Sequence, residues 1–190
     1  RYLLVRDMAP DRDIEFSEEL LVQRYEGDLA NDLGNLLHRV VHMTVRYNGG
    51  RIPAPATPSE EDGALRQRCA ALAPQVLHHA GALAIREALA EVFGVVREIN
   101  TYLEQTAPWR QAKSGDKDRV ATILYYAGEA LRLVSVLLQP VLPERMAEVW
   151  RRLGWQPPED LARGLAWGGL QAGTPVVSGP PLFPRDARTS

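Results

Sequence analysis

Three stretches of this chain repeat one apolar spacing, and that repetition limits what it can fold into. Leu29, Leu33, Leu36, Val40, Met43 and Tyr47 step by four, three, four, three and four. Ile85, Leu89, Val92, Val96, Ile99 and Leu103 do the same, as do Val120, Leu124, Ala127, Leu131, Val134 and Leu138. This spacing keeps one face of a helix apolar over its whole length. Three long amphipathic helices with one seam geometry predict an all-α, antiparallel helix bundle. No sequence similarity links the three stretches, so the shared period reflects packing and not duplication.

Capping and breaking residues divide the rest. Ser17 ahead of Glu18 and Glu19 predicts a helix start, with Phe16 packing back as a staple. That short helix runs to about Tyr25, Gly27 breaks it, and Asp28 caps a new long helix ending at Asn48–Gly49–Gly50. Pro53, Pro55 and Pro58 make residues 51–60 an extended connector. Helical pattern resumes near Glu61, where Pro74 is expected to kink or divide it. Pro108 ends the second long helix and sets Trp109 at a corner. A further helix runs from about Pro143 to Leu153, buried through Met146, Val149, Trp150 and Leu153, and stops at Gly154. The Pro- and Gly-rich remainder is an irregular tail, attached through Trp155, Trp167, Leu170, Leu182 and Phe183. The domain reading is therefore an incoming linker over 1–16, a bundle over 17–154 and an extended segment over 155–190. The opening RYLLVR reads as the end of an element, so the chain is expected to be a piece of a longer protein.

Composition excludes several classes. One cysteine, Cys69, allows no internal disulfide and no multi-cysteine zinc site. No apolar run approaches the roughly 20 residues that span a bilayer, and no basic stretch leads into an apolar leader. A net charge of −2 gives no basic field over the whole surface. A nucleic-acid partner would have to be met by a local patch.

Two places suit such a patch. In DLANDLGNLLHR (residues 28–39), Asp32, Asn35 and Arg39 flank the apolar stripe, with Arg46 further on. Asn35 and Arg39 are four apart and adjacent on a helix. An amide beside a guanidinium suits base edges or phosphates, although most exposed polar pairs on helices are solvated flanks. Trp109 stands among Arg110, Lys113 and Lys117. An aromatic among cations suits stacking on an unpaired base, and it equally suits a lid over the core. Other candidates are weaker. His38 and His42 have metal-pair spacing without a third ligand, and His78 and His79 diverge. Gly49–Gly50 lacks the Lys-Ser/Thr of a phosphate loop. No serine, nor Cys69, has an adjacent general base. The residues describe a binding module with no catalytic or metal site.

The blocks FSEELLVQRYEGDLANDLGNLLHR, INTYLEQTAPW, LLQPVLPERMAEVWRRLGW and LFPR occur in this order between Arg1 and Arg185. In that combination the chain resembles the anticodon-binding domain of bacterial methionyl-tRNA synthetase, a class I aminoacyl-tRNA synthetase. The resemblance implies that Asn35, Arg39 and Trp109 contact a CAU anticodon, with Asn31, Arg110 and Lys113 in support. It implies two partners, tRNA and the protein's own catalytic domain, with no membrane, and a cytoplasmic location. The parent would join methionine to tRNA using ATP with Mg. The HIGH-type and KMSKS-type signatures and the zinc-binding insertion are absent from this sequence and are expected upstream of Arg1. The linker over 1–16 would then leave a catalytic domain, and the tail would pack back on the bundle or on that domain. Two other readings use the same residues: a helical scaffold in an enzyme that activates an amino acid without tRNA, and a non-catalytic interaction bundle.

Overall fold

The computed structural model describes residues 1–7 and 17–184. It contains α1 (Tyr2–Asp7), α2 (Glu18–Arg24), a π-helical segment (Tyr25–Gly34) and α3 (Asn35–Asn48). These are followed by α4 (Glu60–Gly81), α5 (Ile85–Thr106), α6 (Pro108–Ser114), α7 (Lys117–Leu138), α8 (Pro143–Leu153) and α9 (Leu161–Leu165). Among the described residues the extended pairing is one isolated bridge between Arg51 and Pro175. The expected staple residue Phe16 lies outside the described residues.

The three seams form the core. Leu33, Leu36, Val96, Ile99, Leu103, Leu131, Val134 and Leu138 have almost no exposed surface. Truncating one such leucine to alanine costs about 2–5 kcal/mol. Gly49 adopts φ 60° and ends α3 in the left-handed turn that a side chain resists. Ser17 caps α2 by accepting from the Leu20 N–H at 3.1 Å.

The third seam departs from expectation. α7 is buried nearly all round and touches α3, α4, α5, α6, α8 and α9. It is a central pillar and not an amphipathic helix. By length and composition it is also apolar enough to cross a bilayer, against the sequence expectation, but most of it is buried inside the bundle. Its two interior charges satisfy each other. Arg132 Nη2 and Nε donate to Glu129 at 2.6 and 3.0 Å. Glu129 also accepts from the backbone N–H groups of Gly168, Gly169 and Leu170 at 2.7, 2.8 and 3.0 Å. Arg132 donates to the carbonyls of Gly164 and Ala166 and lies 4.8 Å from the Trp155 ring centroid. A Cβ on Gly169 would come within 2.7 Å of the guanidinium carbon, so only glycine permits this approach.

This clamp fastens the tail to the bundle. Farther along, Arg152 donates to the Pro180 carbonyl at 2.7 Å. Leu170, Leu182 and Phe183 are buried. The connector after α3 joins the same layer, because the Ile52 N–H donates to the Thr174 carbonyl at 2.8 Å.

Neither Pro74 nor Gly27 divides its helix. α4 runs through Pro74 undivided. Gly27 does not end α2, which continues through the π segment into α3. Asp28 is therefore not a helix cap. Its carboxylate accepts from the Tyr2 hydroxyl at 2.6 Å and lies 3.7 Å from Arg6. Burial, and then the bond to Asp28, pushes the Tyr2 phenol far above its ordinary value. A mid-helix glycine costs about 1 kcal/mol, and the burial of Leu29 and Leu33 in the same segment outweighs it.

Candidate nucleic-acid interface

The π segment ends where the candidate residues begin. The Asn35 N–H reaches back five residues to the Ala30 carbonyl, the wide register that defines a π turn. Such turns frequently sit at functional sites. The Asn35 N–H also meets the Asp32 carbonyl, and Asn100 of α5 adds a second donor there, giving its Nδ2–H to the Asp32 carbonyl at 3.1 Å and to the Val96 carbonyl at 3.2 Å. The other end of the same amide accepts from Arg39 Nη1 at 3.5 Å.

Arg39 is the centre of the arrangement. Its Nη2 lies 2.6 Å from Glu104 Oε1, with the arginine side chain 19% and the glutamate 62% exposed. Its guanidinium carbon is 5.9 Å from the Trp109 ring centroid, within reach of a cation–π contact. Trp109 gets there because Ala107 turns the chain at φ 43° and Pro108 starts α6. The indole is half-buried against the core. It is thus both a partial lid and an accessible ring, joining the two sequence readings. Asn35 is exposed, one turn before Arg39. Asn31 is exposed one turn earlier and forms an interaction of its own. Arg110 and Lys113 are exposed on α6. The cation nearest the ring is therefore Arg39 and not, as the sequence suggested, Arg110, Lys113 or Lys117.

Sequence reasoning missed Asn100 and Glu104. The available signal was their spacing, since they form a second polar pair four apart beside the second seam, mirroring Asn35 and Arg39. The Asp32 carboxylate is 3.5 Å from Arg97. Burial raises its carboxyl above the ordinary value, against the opposing pull of Arg97. His38 and His42 stack, their ring centroids 5.7 Å apart. Among the described residues no three imidazole, thiol or carboxylate groups cluster as a metal site.

An exposed amide, a guanidinium between a carboxylate and an indole, and flanking cations can hold an unpaired base by its edge and its face. The family model described as the anticodon binding domain of methionyl tRNA ligase matches residues 52–185. The chain belongs to that family. A model for class I tRNA synthetases (M) matches residues 1–41, so Asn35 and Arg39 lie in its stretch and Trp109 in the other. The methionine–tRNA ligase of Deinococcus radiodurans is 39% identical over 186 residues, covering 97% of this chain and 27% of its own length. That of Thermotoga maritima is 36% identical over 183 residues, covering 96% and 29%. Among solved structures, the ligand-free methionyl-tRNA synthetase of Mycobacterium tuberculosis superposes with a TM-score of 0.91 at 31% identity, covering 97% of this chain and 38% of that one. The same enzyme with methionyl-adenylate gives 0.90. The chain spans roughly a third of the length of these relatives.

Proposed function

We propose that this chain recognises the CAU anticodon of tRNA as the helical domain of a methionine–tRNA ligase. The observation that carries the reading is the Arg39 guanidinium, held against the Trp109 face with the exposed Asn35 amide one turn away. Arginine can bond a base edge or phosphate bidentately. Asn35 can offer both a donor and an acceptor to a pyrimidine edge. Trp109 can stack on a splayed base, and Asn31, Arg110 and Lys113 flank the approach. Asn100 acts as the positioning residue, because one amide fixes both the π segment and Arg39.

The parent enzyme would use ATP with Mg and act in the cytoplasm. Among the described residues there is no glycine-rich phosphate loop and no cluster of three carboxylate or imidazole ligands. The class I match over 1–41 supports a catalytic domain of the same protein as the second partner. In that assembly residues 1–16 would be the linker, 17–154 the recognition bundle and 155–190 the strap across it. Because the net charge is −2, non-specific attraction is small and the isolated chain should bind weakly. The test is a titration of Arg39→Met with a CAU stem-loop. Lost discrimination between CAU and a changed first base is expected. Unaltered discrimination would remove Arg39 from the site.

A further inference from the structure

A groove of about 600 Å³ lies beside Asn35, between the π segment and the end of the tail. Ala30, Asn31, Gly34, Asn35 and His38 line one side, and Pro181, Leu182 and Phe183 the other. The tail wall is fixed. Tyr25 donates its hydroxyl to the Pro184 carbonyl at 2.7 Å, and its ring meets Phe183 edge-on at 6.1 Å. Phe183 lies so close to Gly34 that a Cβ there would touch its ring at 3.4 Å and the Leu29 carbonyl at 3.1 Å.

The lining separates this groove from two others among the described residues. The cleft between α4 and α5 contains Glu61 and Glu98, and the hollow along α2 and the start of the π segment contains Glu18, Glu19 and Glu26. The second would repel a phosphate, and in the first the lining arginines Arg68 and Arg97 are already paired with carboxylates, Arg68 with Glu91 and Glu98 and Arg97 with Asp32. The groove beside Asn35 has no acidic lining residue. It sets the Asn35 amide and the His38 imidazole against an apolar wall, with Asn31 at its rim. Arg145 lies 5.8 Å over the Phe183 ring and has no carboxylate partner among the described residues. An amide edge and an apolar face are what one nucleotide requires for its base and its ring face, and Arg145 is a cation on the Phe183 wall that a phosphate could use.

Asn35 belongs to both places. One turn onward is Arg39 beside Trp109, and on its other side is the groove. One helical turn is about 5.4 Å, on the scale that separates neighbouring nucleotides in an unstacked strand. We infer that the groove between Asn31, Asn35, His38 and the Leu182–Phe183 wall is a second nucleotide subsite. It would hold the nucleotide that flanks, in the same unpaired loop, the one read by Arg39 and Trp109. This inference rests on the anticodon reading above.

The test walks an abasic residue through every loop position of a CAU stem-loop. Each RNA is titrated with the unaltered chain, His38→Ala, His38→Gln and Trp109→Ala, and thermal unfolding monitors the fold. The subsite predicts one position outside the Trp109-dependent base where an abasic residue weakens binding at least about 5-fold, the low end of what a bound base contributes. That loss should vanish in His38→Ala and partly return in His38→Gln. If His38→Ala shows the same positional profile as the unaltered chain while Trp109→Ala changes it, the subsite is wrong and the anticodon reading stands. If no variant alters the profile, both are wrong.

Discussion

Two arginine–carboxylate pairs in this bundle have the same 2.6 Å contact and opposite surroundings. Arg132 and Glu129 have no exposed surface. Each is surrounded by further partners, Arg132 donating to two carbonyls and Glu129 accepting from three backbone N–H groups. Arg39 and Glu104 meet at the surface, the glutamate mostly in water and the arginine also against an indole. A buried pair is tolerated only when every remaining donor and acceptor is met. Its arginine has nothing left to offer a ligand. A surface pair contributes little to stability, and its arginine can exchange one carboxylate for a base or phosphate. The number of partners around the guanidinium separates the structural arginine from the one proposed to recognise RNA.

The sharpest way to break this comparison is to remove one carboxylate from each pair. Glu129→Ala leaves a buried charge and three backbone N–H groups without a partner. It should lower the unfolding free energy by about 3–5 kcal/mol in urea denaturation. A change below 1 kcal/mol would show that the clamp is not what holds the tail. Next in size is Trp109→Ala, which should weaken CAU stem-loop binding by about 1–3 kcal/mol. Calorimetric titration checks it, with far-UV circular dichroism confirming the fold. Glu104→Gln should alter stability by less than about 1 kcal/mol and raise RNA affinity a few-fold, since Arg39 loses its competitor. Weaker binding by that variant would mean that Glu104 orients Arg39 instead of occupying it.

The smallest effect is in the pH dependence. Hydrogen bonding from Arg151 lowers the Glu148 carboxyl from 4.5 to about 2, helped by Arg152, which also anchors Pro180. A depressed carboxylate stabilises the fold above its unfolded value and loses that contribution as pH falls through the folded one. The tail should therefore loosen progressively between about pH 4.5 and 2. Asp62 acts in the same direction. Burial raises it, but bonds from Arg119, Tyr102 and the Ser59 N–H outweigh burial and hold it below its ordinary value. A melting temperature that rises on acidification across that window would contradict both assignments.

The seams were legible in the sequence because helix burial is periodic, and so were the stops at Gly49 and Gly154. The π segment was not. Gly27 and Asp28 carry the local signals of a break and a cap, and contacts remote in sequence override them, from Tyr2 to Asp28 and from Asn100 to the Asp32 carbonyl. The same limit hid the pillar character of α7, since a period records where apolar residues stand and not which charges are satisfied inside. Asn35, Arg39 and Trp109 were legible as residue types at a spacing. That Arg39 and Trp109 touch depended on the positive φ of Ala107, which no motif records. The groove wall at Phe183 was read only as an attachment point.

The most direct measurement is the affinity of this chain for a CAU stem-loop against the same RNA with its first anticodon base changed, repeated with Arg39→Met and Trp109→Ala. The account predicts that the unaltered chain prefers CAU and that either substitution erases most of that preference while the fold melts as before. Equal binding of both RNAs by the unaltered chain would contradict it.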